Sequence, residues 1–240
     1  MKITNEDNMD LMSRYEDNYF DLAIVDPPYG LGKRTTDGGS KKNTQTKFMD
    51  DIRRTNWDDE IPSNNYFDEL FRVSKSQIIW GGNYFPYIWK KSCRGLITWD
   101  KMVYIPTMSQ IEYAWYSEDK LPKLVKINNN DSNRLHPTQK PVKLYEWLLM
   151  NYATCKTCKN QGGYYEDVAG DGGSQMRQVC DDCDTHERPV RVLDTHLGSG
   201  SIAIACHNLG FDLTACELDK EYYDAAMKRI NEHKQQIRLF

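Results

Sequence analysis

The sequence lacks any apolar run long enough to span a membrane, and its first six residues do not have the pattern of a signal peptide. It also lacks internal repeats and a strong charge of either sign, because 31 basic residues are balanced by 35 acidic ones. The net charge of −4 does not point to a nucleic-acid-binding protein, although it leaves room for a local basic patch. Hydrophobic residues make up 39% of the chain and aromatic residues 12%, which indicates a globular protein. We therefore expect a cytoplasmic protein with one substantial core and a small accessory module.

A local basic patch lies between Gly30 and Arg54. This segment has seven basic and three acidic residues, so its formal charge is +4 (7 minus 3). It is also rich in Gly, Ser, Thr and Asn, which is typical of a loop. The pattern predicts a basic loop suited to following a phosphate backbone, and a solvated loop without function is the alternative.

Four of the seven cysteines form two Cys-x-x-Cys pairs with 21 residues between them. In a cytoplasmic protein this spacing favours a tetrahedral thiolate site for a structural Zn²⁺ over disulfides. The predicted metal ligands are Cys155, Cys158, Cys180 and Cys183. The sequence between the pairs is rich in glycine, so residues 153–188 are predicted to form a zinc-ribbon-like insertion of short hairpins. Free thiols with coincidental spacing are the alternative, and His186 is either a spare ligand or a surface residue.

The rest of the sequence alternates between strand and helix patterns. The predicted strands are Asp21–Val25, Gln77–Trp80, Gly95–Trp99, Ile111–Tyr116, Val190–Leu193 and Leu213–Cys216. The predicted helices are Asn64–Val73, Val142–Tyr152, Ser201–Leu209 and a last one from Lys220. This alternation predicts an α/β domain with a mostly parallel sheet.

The most informative motif is Asp26-Pro27-Pro28-Tyr29, which follows the apolar run Leu22–Val25. Two prolines end a strand and stiffen the loop after it. Because the prolines have no N–H, the Pro27 carbonyl stands beside the Asp26 carboxylate as a second acceptor. Two adjacent acceptors suit the two N–H donors of an exocyclic amine, and the Tyr29 ring suits stacking on its plane. An ordinary turn is the alternative.

A second motif, Asp194-Thr195-His196-Leu197-Gly198-Ser199-Gly200-Ser201, lies between a predicted strand and a predicted helix. Its glycines let the backbone approach a ligand, and the helix start offers free N–H groups. Glu217 ends the following strand, where an acidic residue in an open α/β sheet can bind ribose hydroxyls. The ordered set predicts a nucleoside-bearing cofactor. The six-position dinucleotide fingerprint is absent, which argues against NAD.

This combination of motifs resembles the DNA amino-methyltransferases that use S-adenosylmethionine, in the permuted motif order called the β group. The resemblance covers about residues 1–152 and 189–240. It rests on Asp26-Pro27-Pro28-Tyr29-Gly30, on His136-Pro137-Thr138-Gln139-Lys140-Pro141, and on the glycine turn followed by Glu217. It implies a Rossmann-like α/β methyltransferase fold with circularly permuted motif order. Residues 1–152 would be the catalytic half and residues 189–240 the cofactor-binding half of one domain, interrupted by the zinc-ribbon-like insertion.

The resemblance also implies which residues hold the cofactor. The glycine turn would curl around its methionine part, and the acidic residue after the next strand would take its ribose hydroxyls. The implied set is Asp7, Asp26, Thr138, Lys140, Asp194, His196, Gly198, Ser199, Gly200 and Glu217. Asp7 would contact the adenine, and Thr138 and Lys140 would lie beside the methionine carboxylate. One departure is Thr195-His196, where the family commonly has Pro-Phe. His196 either replaces an aromatic contact to the cofactor or packs in the turn.

The same resemblance implies the chemistry. The catalytic residues would be Asp26, Pro27, Pro28 and Tyr29. Asp26 and the Pro27 carbonyl would accept both N–H bonds of the target amine and turn its lone pair toward the sulfonium methyl, for direct transfer. The target base would be flipped out of double-stranded DNA and stacked on Tyr29. Asp at the first position of the motif favours adenine N6 over cytosine N4.

Residues 30–57 and 102–134 are the predicted DNA-contacting segments, and the second is the predicted target-recognition segment. The zinc module is either a rigid prop or a further DNA-contacting knuckle. Double-stranded DNA is the implied partner, in a prokaryotic or phage context. The sequence leaves open a homodimer and a cognate restriction enzyme. Three other functions remain as alternatives: a DNA cytosine-N4 methyltransferase, a methyltransferase acting on RNA or on a protein amide, and a catalytically inactive zinc-containing DNA-binding protein.

Overall fold

The computed structural model of the protein describes residues 1–32, 58–91, 94–104, 109–129, 139–153, 163–167, 175–179 and 188–236, with the backbone alone for 163–167 and 175–179. Ten strands lie in these residues: β1 (Lys2–Asn5), β2 (Phe20–Val25), β3 (Ser74–Trp80), β4 (Leu96–Asp100), β5 (Ile111–Tyr116), β6 (Lys123–Lys126), β7 (Gly163–Asp167), β8 (Gln175–Val179), β9 (Arg191–Asp194) and β10 (Asp212–Glu217). The same ranges contain five α-helices: α1 (Asn8–Met12), α2 (Asn64–Val73), α3 (Val142–Leu148), α4 (Ser201–Leu209) and α5 (Lys220–Gln235).

Eight of the strands form one sheet in the order β1-β10-β9-β2-β3-β5-β4-β6. The first five strands in this order run parallel to one another. β5 is antiparallel to both of its neighbours, and β6 is parallel to β4. The prediction of an α/β fold with a mostly parallel sheet is therefore confirmed. None of the helices in the described part of the chain is both long and apolar enough to cross a membrane.

Hydrophobic residues cover both faces of the central strands. Leu22 and Ile24 of β2 face a cluster that includes residues of α3, α4 and α5. Ala23 and Val25 of the same strand face a second cluster that includes residues of α1 and α2. Alternate side chains of a strand point to opposite faces of the sheet, so this strand is buried on both sides. The result is a three-layer arrangement, in which loops lie at the carboxyl ends and at the amino ends of the strands.

Local sequence explains where the helices begin. The Ser63 side chain accepts a hydrogen bond from the Tyr66 N–H before α2, and Asp219 accepts from two N–H groups at the start of α5. The helix predicted over Val142–Tyr152 is α-helical only to Leu148 and ends in a π-helical turn, Leu149–Ala153.

The sequence did not predict β1, α1 or β6, each of which has only four or five residues. α1 is held by the Asp7 side chain, which accepts from the Met9 N–H, and by Leu11 and Met12, which are fully buried. These supports come from capping and tertiary packing, whereas so short a helix has little stability of its own.

The region of the predicted insertion contains the antiparallel pair β7 and β8. The pair lies between the two Cys-x-x-Cys motifs and has the hairpin character that the glycine-rich sequence predicts. The four predicted zinc ligands, Cys155, Cys158, Cys180 and Cys183, all lie outside the described residues. Within the described residues no group of three or more potential metal ligands is present. The zinc site therefore stays a prediction.

Candidate active site

A cavity of about 860 Å³ opens at the edge of the sheet where β1, β10, β9 and β2 have their carboxyl ends. It lies beside the neighbouring strands β9 and β2. From β2 the chain continues to β3 on one side of this point, and from β9 it continues to β10 on the other side. Ligands of open α/β sheets bind at such a switch point. The cavity lining includes Asp7 after β1, Asp26 after β2, His196 after β9 and Glu217 at the end of β10. The fold thus brings both sequence motifs to one cavity.

Asp26 is held by two hydrogen bonds. Its Oδ1 accepts from the Tyr29 hydroxyl at 2.6 Å, and its Oδ2 accepts from Lys140 Nζ at 2.5 Å. Both oxygens of the carboxylate therefore have a donor in this state. An incoming amine that uses Oδ1 must displace the Tyr29 hydroxyl, because both need the same acceptor.

Lys140 is almost fully buried, and its ammonium also lies 3.2 Å from Oε2 of Glu112. Burial opposes its charge, but the Asp26 and Glu112 carboxylates outweigh burial and raise the pKa of Lys140. Burial likewise opposes the charge of Glu112, and the Lys140 and Lys101 ammonium groups lower its pKa. Both groups are therefore charged at neutral pH. The predicted contact of Lys140 with the methionine carboxylate of a cofactor stays a prediction, since the structure places its ammonium on Asp26.

Asp58 anchors the loop that carries Tyr29. The Asp58 carboxylate accepts from the backbone N–H groups of Tyr29 at 2.6 Å and of Gly30 at 3.1 Å. The Tyr29 ring is stacked on the ring of Tyr84, with centroids 5.0 Å apart and planes at 16°. These contacts hold the motif next to the cavity.

The glycine turn is tied to the end of β10 by Glu217. One oxygen of this carboxylate accepts from the Gly198 N–H at 2.9 Å, and the other accepts from the Asp219 N–H at 3.1 Å. From the other side, Arg229 of α5 donates to the Ser199 carbonyl at 2.8 Å. Each carboxylate oxygen has a second lone pair, so Glu217 can still accept from a ligand hydroxyl.

Asp194 lies beneath this turn with only 2% of its surface exposed, and it accepts from the His196 N–H at 3.0 Å. Burial, reinforced by the nearby Asp26 and Glu217 carboxylates, raises the pKa of Asp194 to about 8. The carboxyl group is therefore mostly protonated at neutral pH. A cationic ligand beside it would favour the ionised form.

His196 is neutral and has partners on both ring nitrogens. The Asn8 amide nitrogen donates to Nε2 at 3.3 Å, so Nδ1 carries the proton and donates to the Thr195 hydroxyl at 2.9 Å. Thr195 also bonds the Tyr66 hydroxyl, and the Tyr66 ring meets the His196 ring edge-on at 5.4 Å. Burial lowers the pKa of His196 to about 4, against the opposing effect of Asp7. The side chain thus packs in the turn and also lines the cavity.

The structure brings most of the predicted site residues together. Ten of them line the cavity: Asp7, Asp26, Pro27, Pro28, Tyr29, Lys140, His196, Gly198, Ser199 and Glu217. Asp194 and Gly200 belong to the same turn and support it without lining the cavity. Thr138 lies outside the described residues, as do residues 33–57 of the basic loop. The predicted target-recognition segment is described only at 102–104 and 109–129.

Five residues of the site were missed by sequence reasoning: Asp58, Tyr66, Tyr84, Glu112 and Arg229. For four of them the linear sequence carries no signal, because they reach the motifs only through the folding of distant segments. Glu112 does carry a signal, since it is an acidic residue within the otherwise uncharged strand β5. A carboxylate in such a strand needs a buried partner.

Comparisons with known proteins find similar methyltransferases. The chain is 24% identical over 269 residues to the type II methyltransferase M.HpaI of Haemophilus parainfluenzae, a match that covers 92% of this chain and 71% of that protein. The solved M1.HpyAVI–SAM complex is similar to it at a TM-score of 0.52 and 17% identity, over 96% of this chain and 98% of the other. The cytosine-N4-specific PvuII DNA methyltransferase is similar at a TM-score of 0.53 and 13% identity, over 96% and 90%. No protein-family profile matches the chain.

The chain is thus homologous to M.HpaI over most of its length. It shares the Rossmann-like fold of the solved methyltransferases, which confirms the predicted fold class.

Proposed function

We propose that the protein is a β-group DNA methyltransferase that transfers a methyl group from S-adenosylmethionine to N6 of adenine. The observation that carries this proposal is the shared cavity. Asp26 and Pro27 line it together with the glycine turn and Glu217. A methyl acceptor and a methyl donor held by these two groups would meet in one cavity, which is what direct transfer requires.

The residues present fit the proposed cofactor. The cavity of about 860 Å³ is of the size that encloses nucleoside ligands. Glu217, which lines the cavity, offers acceptors for ribose hydroxyls. Asp7 keeps one carboxylate oxygen besides the one that caps α1. When bound, S-adenosylmethionine supplies an electrophilic methyl group on a sulfonium.

Asp26 and Pro27 act on the methyl acceptor. The lone pair of an exocyclic amine is conjugated with its ring and is a weak nucleophile. Accepting both N–H bonds at Asp26 Oδ1 and the Pro27 carbonyl turns the lone pair out of the ring plane. Lys140 keeps Oδ2 of the carboxylate occupied, so Oδ1 is the oxygen that the amine takes when the Tyr29 hydroxyl moves away.

Double-stranded DNA is the proposed substrate, because the chain is similar to the type II methyltransferase M.HpaI and to the PvuII DNA methyltransferase. The proposed location is the cytoplasm. The base would be flipped out and stacked on Tyr29. Adenine is proposed because the motif begins with Asp. The similar PvuII enzyme is cytosine-N4-specific, so finding N4-methylcytosine would change the proposed target base from adenine to cytosine. Residues 30–57 and 102–134 are proposed to contact DNA, while a homodimer and a restriction enzyme partner stay open.

The test is incubation of the purified protein with methyl-labelled S-adenosylmethionine and either duplex DNA, RNA or bulk protein. We expect label in DNA alone, recovered as N6-methyladenine after digestion to nucleosides. Label in RNA or protein, or none, would contradict the proposal, and label in N4-methylcytosine would correct the base.

Asp26→Ala separates catalysis from cofactor binding. We expect this variant to lose methyl transfer and to keep its affinity for S-adenosylmethionine within a few fold in a calorimetric titration. Asp10→Ala, an exposed aspartate of α1, is the matched control and should keep both. Equal loss of transfer and of cofactor binding in Asp26→Ala would contradict the assigned role.

A structural Zn²⁺ bound by Cys155, Cys158, Cys180 and Cys183 is part of the same proposal. Metal analysis of the purified protein should find one zinc per chain. Replacing Cys155 and Cys158 with serine should remove it, whereas Cys206→Ser, at a buried cysteine of α4, should not. Zinc retained in the double variant would rule out this site.

A further inference from the structure

Asp26 is one end of a row of four alternating charges. Lys140 Nζ lies 2.5 Å from Asp26 Oδ2 and 3.2 Å from Glu112 Oε2. Lys101 Nζ then lies 2.5 Å from Glu112 Oε1. The side chains of Lys140 and Lys101 are only 2% and 11% exposed. Two carboxylates and two ammonium groups balance one another in formal charge, so removing one member leaves an uncompensated charge.

Of Asp26, Lys140 and Glu112, it is Glu112 that belongs to a strand of the sheet. Asp26 follows β2 and Lys140 precedes α3, so both are loop residues. Glu112 belongs to β5, which lies between β3 and β4, and it pairs with Trp99. A side chain on an inner strand is placed more rigidly than one on a loop. The Glu112 carboxylate is therefore a fixed point for the Lys140 ammonium.

The contacts of Lys140 show what this fixed point does. Its ammonium donates to Asp26 Oδ2 and to the Tyr29 hydroxyl, the latter at 3.4 Å. Its 3.2 Å contact with Glu112 Oε2 is an ion pair, because this oxygen has no hydrogen-bond partner among the described residues. The Glu112 charge attracts the ammonium and so opposes any tendency to follow a moving Asp26 carboxylate. Oδ2 of Asp26 is then fixed, and Oδ1 keeps its direction when the Tyr29 hydroxyl leaves it.

We propose that Glu112 is a positioning residue for methyl transfer, which acts through Lys140 to keep Asp26 oriented toward the target amine. This inference rests on the proposed function. Glu112 would not bind the transferred methyl group or the amine. Its removal should therefore slow the transfer step and leave cofactor binding nearly unchanged.

The test compares Glu112→Gln, Glu112→Asp, Lys140→Met and the double variant Glu112→Gln/Lys140→Met with the wild type. We expect Glu112→Gln to lower the single-turnover rate about 10- to 100-fold, because small misplacements of a reacting group cost this much. The Kd for S-adenosylmethionine should stay within about threefold, the change that a small loss of contact produces. Glu112→Asp should recover part of the rate. Glu232→Gln, an exposed residue of α5 outside the cavity and the proposed DNA-contacting segments, is the matched control and should behave like wild type.

The double variant tests whether Glu112 acts through Lys140. We expect it to be no slower than Lys140→Met alone, and rate losses that multiply would overturn the proposal. Equal loss of rate and cofactor affinity in Glu112→Gln would also overturn it, since this is what general disruption produces. If the wild type does not methylate DNA, the proposed function fails separately. The urea unfolding midpoints of the wild type, Glu112→Gln, Lys140→Met and the double variant then test the coupling between Glu112 and Lys140. Non-additive shifts of the midpoint support this coupling, and additive shifts overturn it.

Discussion

Gly200 and Gly210 flank α4 with nearly the same backbone conformation, at φ values of +75° and +76°. A Cβ at Gly200 would lie 2.9 Å from Cδ1 of Ile230, whereas one at Gly210 would meet nothing within 4 Å. Gly210→Ala is expected to cost about 1 kcal/mol for its left-handed backbone, and Gly200→Ala more, because Ile230 must also move. Urea unfolding of the two variants measures the difference. Equal costs would contradict a role for the Ile230 contact.

Asp194→Asn is expected to change how stability depends on pH. The folded protein keeps the Asp194 proton up to about pH 8, whereas the unfolded chain releases it near 3.8. The folded state thus binds more protons between these values, so the wild type loses stability as pH rises through this range, by at most about 1.4 kcal/mol per pH unit. Asparagine cannot titrate, and its variant should lack this slope.

Urea midpoints of wild type and Asp194→Asn between about pH 5 and pH 8 measure this effect. Asp10→Asn, at the exposed start of α1, is the control and should follow the wild type. Parallel profiles for wild type and Asp194→Asn would show that Asp194 is already ionised in the folded protein.

Single residues differ in how far sequence alone could place them. Asp26 and Glu217 could be predicted as cavity residues because each directly ends a strand, and parallel strands share one carboxyl edge. Asp58 and Glu112 could not be linked to Asp26, because their contacts join segments that only the folded sheet brings together. The same packing places the Lys140 ammonium against Asp26, a contact that the sequence did not predict.

Among the elements, the amino ends of three parallel strands are joined by Asp21. Its carboxylate, at the start of β2, accepts from both terminal nitrogens of Arg188 at 2.6 and 2.8 Å, from the Arg191 N–H of β9 and from Lys75 of β3. Burial opposes the charge of Asp21, but these donors outweigh it and lower the pKa to about 2. The Asp21 carboxylate is therefore ionised at any pH well above 2.

Asp21→Asn is expected to cost about 2 kcal/mol of unfolding free energy at pH 7, from a pKa difference of almost two units. The folded pKa lies below the unfolded one, so this contribution is present above about pH 4 and is lost as pH falls toward 2. Urea unfolding at several pH values measures it. Asp119→Asn, which breaks an exposed pair with Arg94, is the control and should cost much less. A cost for Asp21→Asn that does not shrink in acid would contradict an ionic clamp.

Element types could be predicted where the pattern was long and regular, as for α2 and α4, whose bounds match the prediction. The start of β3 at Ser74 was missed, because no turn residue separates it from Val73 at the end of α2. β1 and β6 were missed because four residues are too few for a clear alternation. These strands form by adding to existing edges of the sheet, which is a tertiary effect.

Across the whole molecule, the half of the sheet beside the glycine turn is built from both ends of the sequence. β1 pairs with β10 over four residue pairs, from Lys2 with Thr214 to Asn5 with Glu217. Asp7 and Asn8, which follow β1, therefore reach the cavity beside the glycine turn. An early strand thus completes the half of the sheet that late strands begin, in a chain where the proposed catalytic motif precedes the proposed cofactor motif.

The two ends of the predicted insertion lie at the opposite edge of the sheet from the cavity. Asn151, near the end of the π-helical turn, bonds Lys123 at the start of β6. Arg188, where the described chain resumes, bonds Asp21 at the start of β2. The amino ends of these parallel strands are separated from the carboxyl ends, where the cavity lies, by the length of the strands, roughly 13 to 20 Å at 3.3 Å per residue.

Replacing residues 154–187 with a Gly/Ser linker of about ten residues should therefore leave cofactor binding intact. We expect a Kd for S-adenosylmethionine within about threefold of the wild type, since no described cavity residue belongs to the removed segment. A calorimetric titration measures the Kd, and a thermal melt of the same sample confirms that the shortened chain is folded.

The same variant separates the two roles proposed for the zinc module. A lower melting temperature with an unchanged affinity for duplex DNA supports a prop, and weaker DNA binding at an unchanged melting temperature supports a DNA-contacting knuckle. A folded variant that no longer binds the cofactor would show that the insertion reaches the cavity, contrary to the placement of its two ends.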